Sequence, residues 1–242
     1  MSEPAAITRL RHALAEEGLT PPTIRRFRGI ITRNYQSHGR NLPWRQTTDP
    51  YHILVSELML QQTQVERVMD KYRQFITAFP DFASLARASL QRVLKVWVGL
   101  GYNRRALALK NTATIVMKEH NGRLPSSEKL LVTLPGVGKY TASAIAVFAF
   151  NQPVILLETN IRTVFLYFFF TNKTEVKDIE IIPLIEKTVP KANPRRWYNA
   201  LMEYTKTAHS TYYLYYLIVW VCKYRRRVLN PGICSYIRKI MR

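Results

Sequence analysis

Apolar residues recur at spacings of three and four along almost the whole of this chain, and alternating runs of the kind a half-buried strand needs are few. The expected fold is therefore all-α. Asp49-Pro50 predicts a helix start, a capping side chain followed by proline at the first helical position, with Leu54, Val55, Leu58 and Met59 on one face. Thr63 with Glu66 reads as a capping box, opening a second helix that turns Val65, Val68, Tyr72 and Phe75 inward. Further helices are expected over Leu90–Val98, closed by Gly99, and Arg104–His120, closed by Asn121-Gly122. Ser126 or Ser127 caps a short one that stops at Pro135-Gly136, and an alanine-rich helix follows over Lys139–Phe150. Asn151-Gln152-Pro153 breaks the chain; Val154–Leu157 reads as extended and buried, and helices resume over Asn160–Phe169, Asp178–Val189 and Arg195 to about Thr207. The organisation expected is a block from 42 to 152 inserted into a second helical lobe built from both termini, 1–41 and 153–242. No fixed-period repeat suggests a solenoid.

Charge narrows the partner. Against 36 Lys+Arg stand 16 Asp+Glu, a net +20 that favours a polyanion, nucleic acid before an anionic membrane surface. The opening MSEPAAITRL has no apolar core of signal-peptide length, and the longest apolar stretch, Tyr212–Val221, is about half the ~20 residues of a membrane helix. The expectation is an intracellular protein, in the cytoplasm or associated with the nucleoid, with no membrane partner. Cys222 and Cys234 are the only cysteines, too few for a disulfide framework or a four-cysteine metal site, and the five histidines show no paired metal-ligand spacing. No catalytic metal is expected.

Three constellations carry chemistry. In Leu134-Pro135-Gly136-Val137-Gly138-Lys139-Tyr140, two glycines one residue apart stand between two helices. Such a hairpin directs free amides and a positive helix end at a phosphate with no side chain in the way, although an ordinary helix connection has the same spacing. Glu57 stands mid-helix among apolar residues: pointing inward it would be a desolvated carboxylate in the general-acid range, pointing outward a solvated one. Glu158 follows Val154–Leu157 where a helix begins, with Asn160 near enough to orient it; it is either a helix cap or a second functional acid. One acid kept protonated and one kept ionised is what cleavage of a glycosidic bond through an oxocarbenium-like transition state requires.

LPWRQTTDPYHILVSELMLQQTQV, WVGLGYNRRALALK, LPGVGKYTASAIAVFAF and ETNIRTV, in that order, resemble the helix-hairpin-helix superfamily of DNA glycosylases, and within it the adenine-specific MutY-type branch, over about residues 28 to 204. The resemblance implies two lobes, a six-helix barrel carrying the helix-hairpin-helix and a lobe from both termini. It implies a base-excision repair enzyme, working as a monomer on double-stranded DNA with a mismatch or lesion, that hydrolyses the glycosidic bond of adenine opposite 8-oxoguanine or guanine. Glu57 would protonate the leaving base, and Glu158, where the family has aspartate, would stabilise the cationic sugar beside Asn160. Gly136, Gly138 and Lys139 would hold a phosphate. Gln62, Thr63, Leu100 and Tyr102 match residues that wedge into the duplex once the base is extruded. Arg104 and Arg105, beside this surface, are expected to contact phosphates with Lys139 and the basic tail.

Tyr140 stands where strand-cutting members carry a lysine that attacks the sugar. A phenol cannot form a Schiff base, and neighbouring Lys139 points about 100° away around the helix, so a monofunctional enzyme using water is expected. The family's four cluster cysteines are also missing: His209 stands near the first, and 210–242 is an aromatic and basic tail with no match. No iron–sulfur cluster or other cofactor is expected, nor a separate domain that inspects 8-oxoguanine. Two further readings stay open: a thymine or uracil mismatch glycosylase, which also tolerates tyrosine at 140, and a relative that binds lesions without cutting.

Overall fold

A computed structural model describes residues 3–208 apart from 172 and 174; the aromatic and basic tail, Cys222, Cys234 and His209 lie outside the described residues. The described residues form helices α1 (Glu3–Glu17), α2 (Pro21–His38), α3 (Pro50–Leu60), α4 (Val65–Ala78), α5 (Phe82–Arg87), α6 (Leu90–Trp97), α7 (Arg104–Glu119), α8 (Glu128–Leu131), α9 (Lys139–Phe148), α10 (Thr159–Phe169), α11 (Asp178–Thr188) and α12 (Pro194–Ala208), with a 3-10 turn over Pro43–Arg45. No strand occurs among them, as the period-three-and-four pattern requires. No described helix is long and apolar enough to cross a membrane.

The packing falls into two groups that meet through α9 and α12. In the first, α3 is the central helix. Asp49 caps it through bonds from the Tyr51 and His52 amides (2.8 and 3.3 Å), and Tyr51, Ile53, Leu54, Val55, Ser56, Leu58 and Met59 are all buried. A helix apolar on every side is stable only when wrapped, and α4, α7 and α9 wrap it. Residues 141–148 of α9 are buried too, their alanines letting the helices approach closely. The second group joins α1 and α2 from the N-terminus to α10, α11 and α12. Phe27 of α2 is its centre, meeting Phe165, Phe168, Phe169 and Trp197 edge-on at centroid distances of 5.0 to 5.7 Å.

Three local expectations are corrected. Thr63 and Glu66 form no capping box: α4 starts at Val65 with Gln64 at its cap, because the Thr63 hydroxyl donates to the Gln61 carbonyl (3.3 Å) and accepts from Arg105 (3.0 Å). Val154–Leu157 is not a strand, and only Leu156 is buried; it is an irregular connector tied down by Tyr198, whose hydroxyl donates to the Val154 carbonyl (2.9 Å) and accepts from the Leu156 amide (3.1 Å). The alanine-rich helix ends at Phe148 rather than Phe150. Helix α5, opened by a box in which Asp81 accepts from the Ser84 amide (2.6 Å), was not anticipated.

Candidate active site

Where the two groups meet, a pocket of about 260 Å³ is lined by Glu57 from the last turns of α3, Tyr140 from the first turn of α9, and Glu158 and Asn160 from the start of α10. Residues a hundred positions apart thus share one cavity. The Tyr198 clamp delivers the chain to Glu158, which then serves its own helix: Oε1 accepts from the Ile161 amide (2.9 Å) and Oε2 from the Asn160 side chain (3.0 Å). Asn160 is held in turn by a bond from the Thr205 hydroxyl to its Oδ1 (3.3 Å). Cap and pocket acid are therefore the same carboxylate.

The two acids differ in environment. Burial, then the charge of Glu158, pushes Glu57 up to about 7. Burial also raises Glu158 above the ordinary carboxylate range, but the Asn160 and Ile161 amides and the Asn160 side chain work against it by bonding the ionised form. The hydrogen bonds thus favour the ionised form of Glu158, whereas burial, joined by the charge of Glu158, favours the protonated form of Glu57. Burial and then the charges of Glu57 and Glu158 raise the Tyr140 phenol, which stays neutral. The pocket brings together two carboxyl groups of unlike environment and has no amine at position 140.

Sequence reasoning missed the far wall. Trp44, Leu42 and Met202 line it, with Arg40 and Arg45. Both guanidiniums donate to Glu203, 1% exposed, each at 2.6 Å. Burial alone would raise Glu203; the bonds and charges of Arg40 and Arg45 outweigh it and hold the carboxylate below its usual range. The only signal was a glutamate within α12 and two arginines between α2 and α3, more than 150 residues apart, which no spacing rule connects.

The hairpin stands beside this pocket. Gly136 has φ +77°, and a Cβ there would lie 2.8 Å from the Ala108 Cβ and 3.3 Å from Leu58 Cδ2, so both conformation and close approach demand glycine. Gly138, the cap of α9, has φ −82° and open space where a Cβ would stand. Its absent side chain leaves room over the α9 amides rather than permitting the fold. Gly136→Ala should therefore destabilise the protein by about 1–3 kcal/mol in thermal melts, while Gly138→Ala should change stability by less than about 0.5 kcal/mol yet weaken duplex affinity. Lys139 is exposed beside it.

The wedge residues divide. Gln62 (φ +54°) and Tyr102 (φ +48°, 54% exposed) stand with Arg104 and Tyr140 around a groove adjoining the pocket. Thr63 is half-buried. Leu100 is not at this surface: 3% exposed, it belongs to the hydrophobic core, while Val98 and Tyr102 on either side are exposed. Arg105 also departs from expectation. It is 5% exposed and committed to backbone carbonyls, so it is not a phosphate contact; Arg104 is exposed. Among the described residues no three of His, Cys, Asp and Glu come together to hold a metal ion.

The family description HhH-GPD superfamily base excision DNA repair protein matches residues 55–190, and the chain belongs to that superfamily. It is 43% identical over 158 residues to an adenine DNA glycosylase of Mycobacterium tuberculosis, covering 63% of this chain and 50% of that protein. The human adenine DNA glycosylase is 40% identical over 147 residues, 57% of this chain and 27% of that protein. The chain thus spans half the length of the first relative and about a quarter of the second. A solved thermostable thymine-DNA glycosylase superposes with a TM-score of 0.70 at 27% identity, covering 78% of this chain and 88% of the other. A trapped endonuclease III–DNA covalent intermediate superposes at 0.66 and 17% identity over 80% and 90%, a likeness of fold.

Proposed function

We propose that this chain is a monofunctional DNA glycosylase that releases adenine opposite 8-oxoguanine or guanine, acting as a monomer on duplex DNA inside the cell and without an iron–sulfur cluster. The observation that carries the reading is that Glu57 and Glu158 line one pocket, where burial and the Glu158 charge push Glu57 up to about 7 and hydrogen bonds favour the ionised form of Glu158. A base inside a duplex stack is out of reach, so it must be extruded into the pocket. Glu57 gives its proton to a ring nitrogen of the base as the glycosidic bond breaks, the charge of Glu158 stabilises the cation developing on the sugar, and water adds to the anomeric carbon with loss of a proton that restores the Glu57 acid. Tyr140 in place of an amine leaves water as the nucleophile. Two cysteines cannot supply the four thiolates of a cluster. The match to adenine DNA glycosylases supports the choice of base.

The likeness to a thymine-DNA glycosylase favours a second reading, removal of thymine or uracil opposite guanine. Single-turnover base release on A:8-oxoG, A:G, T:G and U:G duplexes separates them. Release confined to the first two is expected; release of pyrimidine alone selects the second reading, and no release from any duplex rejects both.

The binding surface has its own test. Lys139 and Arg104 are exposed beside the hairpin and groove. With about two phosphates neutralised, affinity for duplex DNA should fall roughly tenfold between 50 and 200 mM salt. A flat dependence would show that this surface does not bind the backbone.

A further inference from the structure

The buried Arg105 guanidinium joins two segments far apart in sequence. Its NH1 donates to the carbonyls of Leu58 (3.0 Å), Met59 (2.8 Å) and Gln61 at the end of α3; its NH2 donates to the Thr63 hydroxyl (3.0 Å) and the carbonyls of Leu100 (2.9 Å) and Gly101 (3.2 Å). Every acceptor is neutral, and no carboxylate pairs with it among the described residues. A cation buried without a counter-ion is costly, and here five backbone carbonyls and one hydroxyl around the two terminal nitrogens stand in its place, while Nε is left without a partner.

What the guanidinium holds gives it a role. Gln62 lies between two of its acceptors, Gln61 and Thr63, and Tyr102 directly follows two more, Leu100 and Gly101. Both are non-glycine residues in the left-handed region, which persists only where the surroundings over-determine it, and both face the groove beside the pocket. The Arg105 guanidinium also lies over the Tyr102 ring, 5.4 Å from its centroid.

We propose that Arg105 is a positioning residue that locks the turn carrying Gln62 and the turn carrying Tyr102 into one rigid edge, so that both side chains enter the duplex together when the base is extruded. The proposal rests on the glycosylase reading and names the device that makes its extrusion step efficient. It follows that lysine is no substitute: one ammonium has three donors and no planar fork, and it cannot reach acceptors on both turns at once.

The test uses the full chain, the Arg105→Lys variant, and duplexes with 2-aminopurine, which brightens when unstacked, or adenine at the target position. Arg105→Lys should keep its helical circular dichroism and lose about tenfold or more in 2-aminopurine brightening and in adenine release from a paired duplex. Release of adenine placed opposite an abasic analogue, where little extrusion work remains, should fall less than about threefold. Equal losses on the two substrates, or no loss on either, would overturn the positioning role. Should Arg105→Lys fail to fold, Thr63→Val, which removes one acceptor at nearly constant volume, should show the same split at a smaller size, and an equal loss on both substrates would again overturn it. Parental protein that brightens 2-aminopurine but releases no adenine would reject the adenine reading and leave this proposal standing; parental protein that does not brighten it would reject the proposal.

Discussion

Glu57→Gln should lower single-turnover adenine excision by at least ~100-fold while duplex affinity stays within about twofold, because glutamine keeps the shape of the side chain and lacks the proton. The same substitution should make the protein more stable at neutral and alkaline pH. In the folded protein Glu57 holds its proton up to about 7 against an ordinary value of 4.5, so its contribution to stability is complete below 4.5 and is lost as pH rises through 7. Ionised above that range, the buried carboxylate costs on the order of 3 kcal/mol, which glutamine does not incur. Melting temperature measured at pH 5 and pH 8 checks this: the parental protein should lose more stability over the interval than the variant. A variant less active and less stable at both pH values would mark Glu57 as structural.

Glu158→Gln should be comparably severe for excision, since in the proposed reaction it removes the charge that stabilises the sugar cation and that adds to burial in raising Glu57. It also weakens the cap of α10, where the carboxylate accepts from the Ile161 amide, so a stability loss of about 1 kcal/mol should accompany it. The aspartate swap separates the two duties. Aspartate is an efficient helix cap, and Glu158→Asp should keep stability near the parental level. Its carboxylate, one methylene shorter, sits differently in the pocket, and a displacement of about 1 Å can change the rate ~100-fold. Higher activity in Glu158→Asp would mean that the longer side chain is an impairment; lower activity would mean that the connector held by Tyr198 is fitted to glutamate. Excision at the parental rate in both glutamine variants would reduce the two carboxylates to structural groups.

How much of this was legible in the sequence depended on the range of the interaction. Helix α3 was readable because its cap, proline and apolar run are contiguous from Asp49 to Leu60, and the Gly136–Lys139 hairpin because its glycines do local conformational work. Thr63 misled for the opposite reason: its spacing to Glu66 satisfies the capping rule, but a guanidinium from α7, forty-two residues on, takes its hydroxyl. Arg105 is the same case seen from the other side, since an arginine next to exposed Arg104 reads as one more surface cation until its carbonyl partners are seen. Glu203 with Arg40 and Arg45 had no local signature, because the charges meet only after α2 and α12 pack together. Leu100 was carried over by motif likeness, and its burial follows from the Gly99–Gly101 turn, which sends Tyr102 rather than Leu100 to the surface.

In the proposed reaction a protonated carboxylate and an ionised one, with no amine nucleophile, break the bond. The most direct measurement is single-turnover excision from an A:8-oxoG duplex across pH 5 to 9, with parallel samples treated with borohydride and with alkali. Adenine release that falls as pH rises through about 7, strands that stay intact until alkali is added, and no borohydride-trapped adduct are the predicted result. A covalent protein–DNA adduct after borohydride would contradict it, because some amine would then be attacking the sugar in the place that Tyr140 cannot fill.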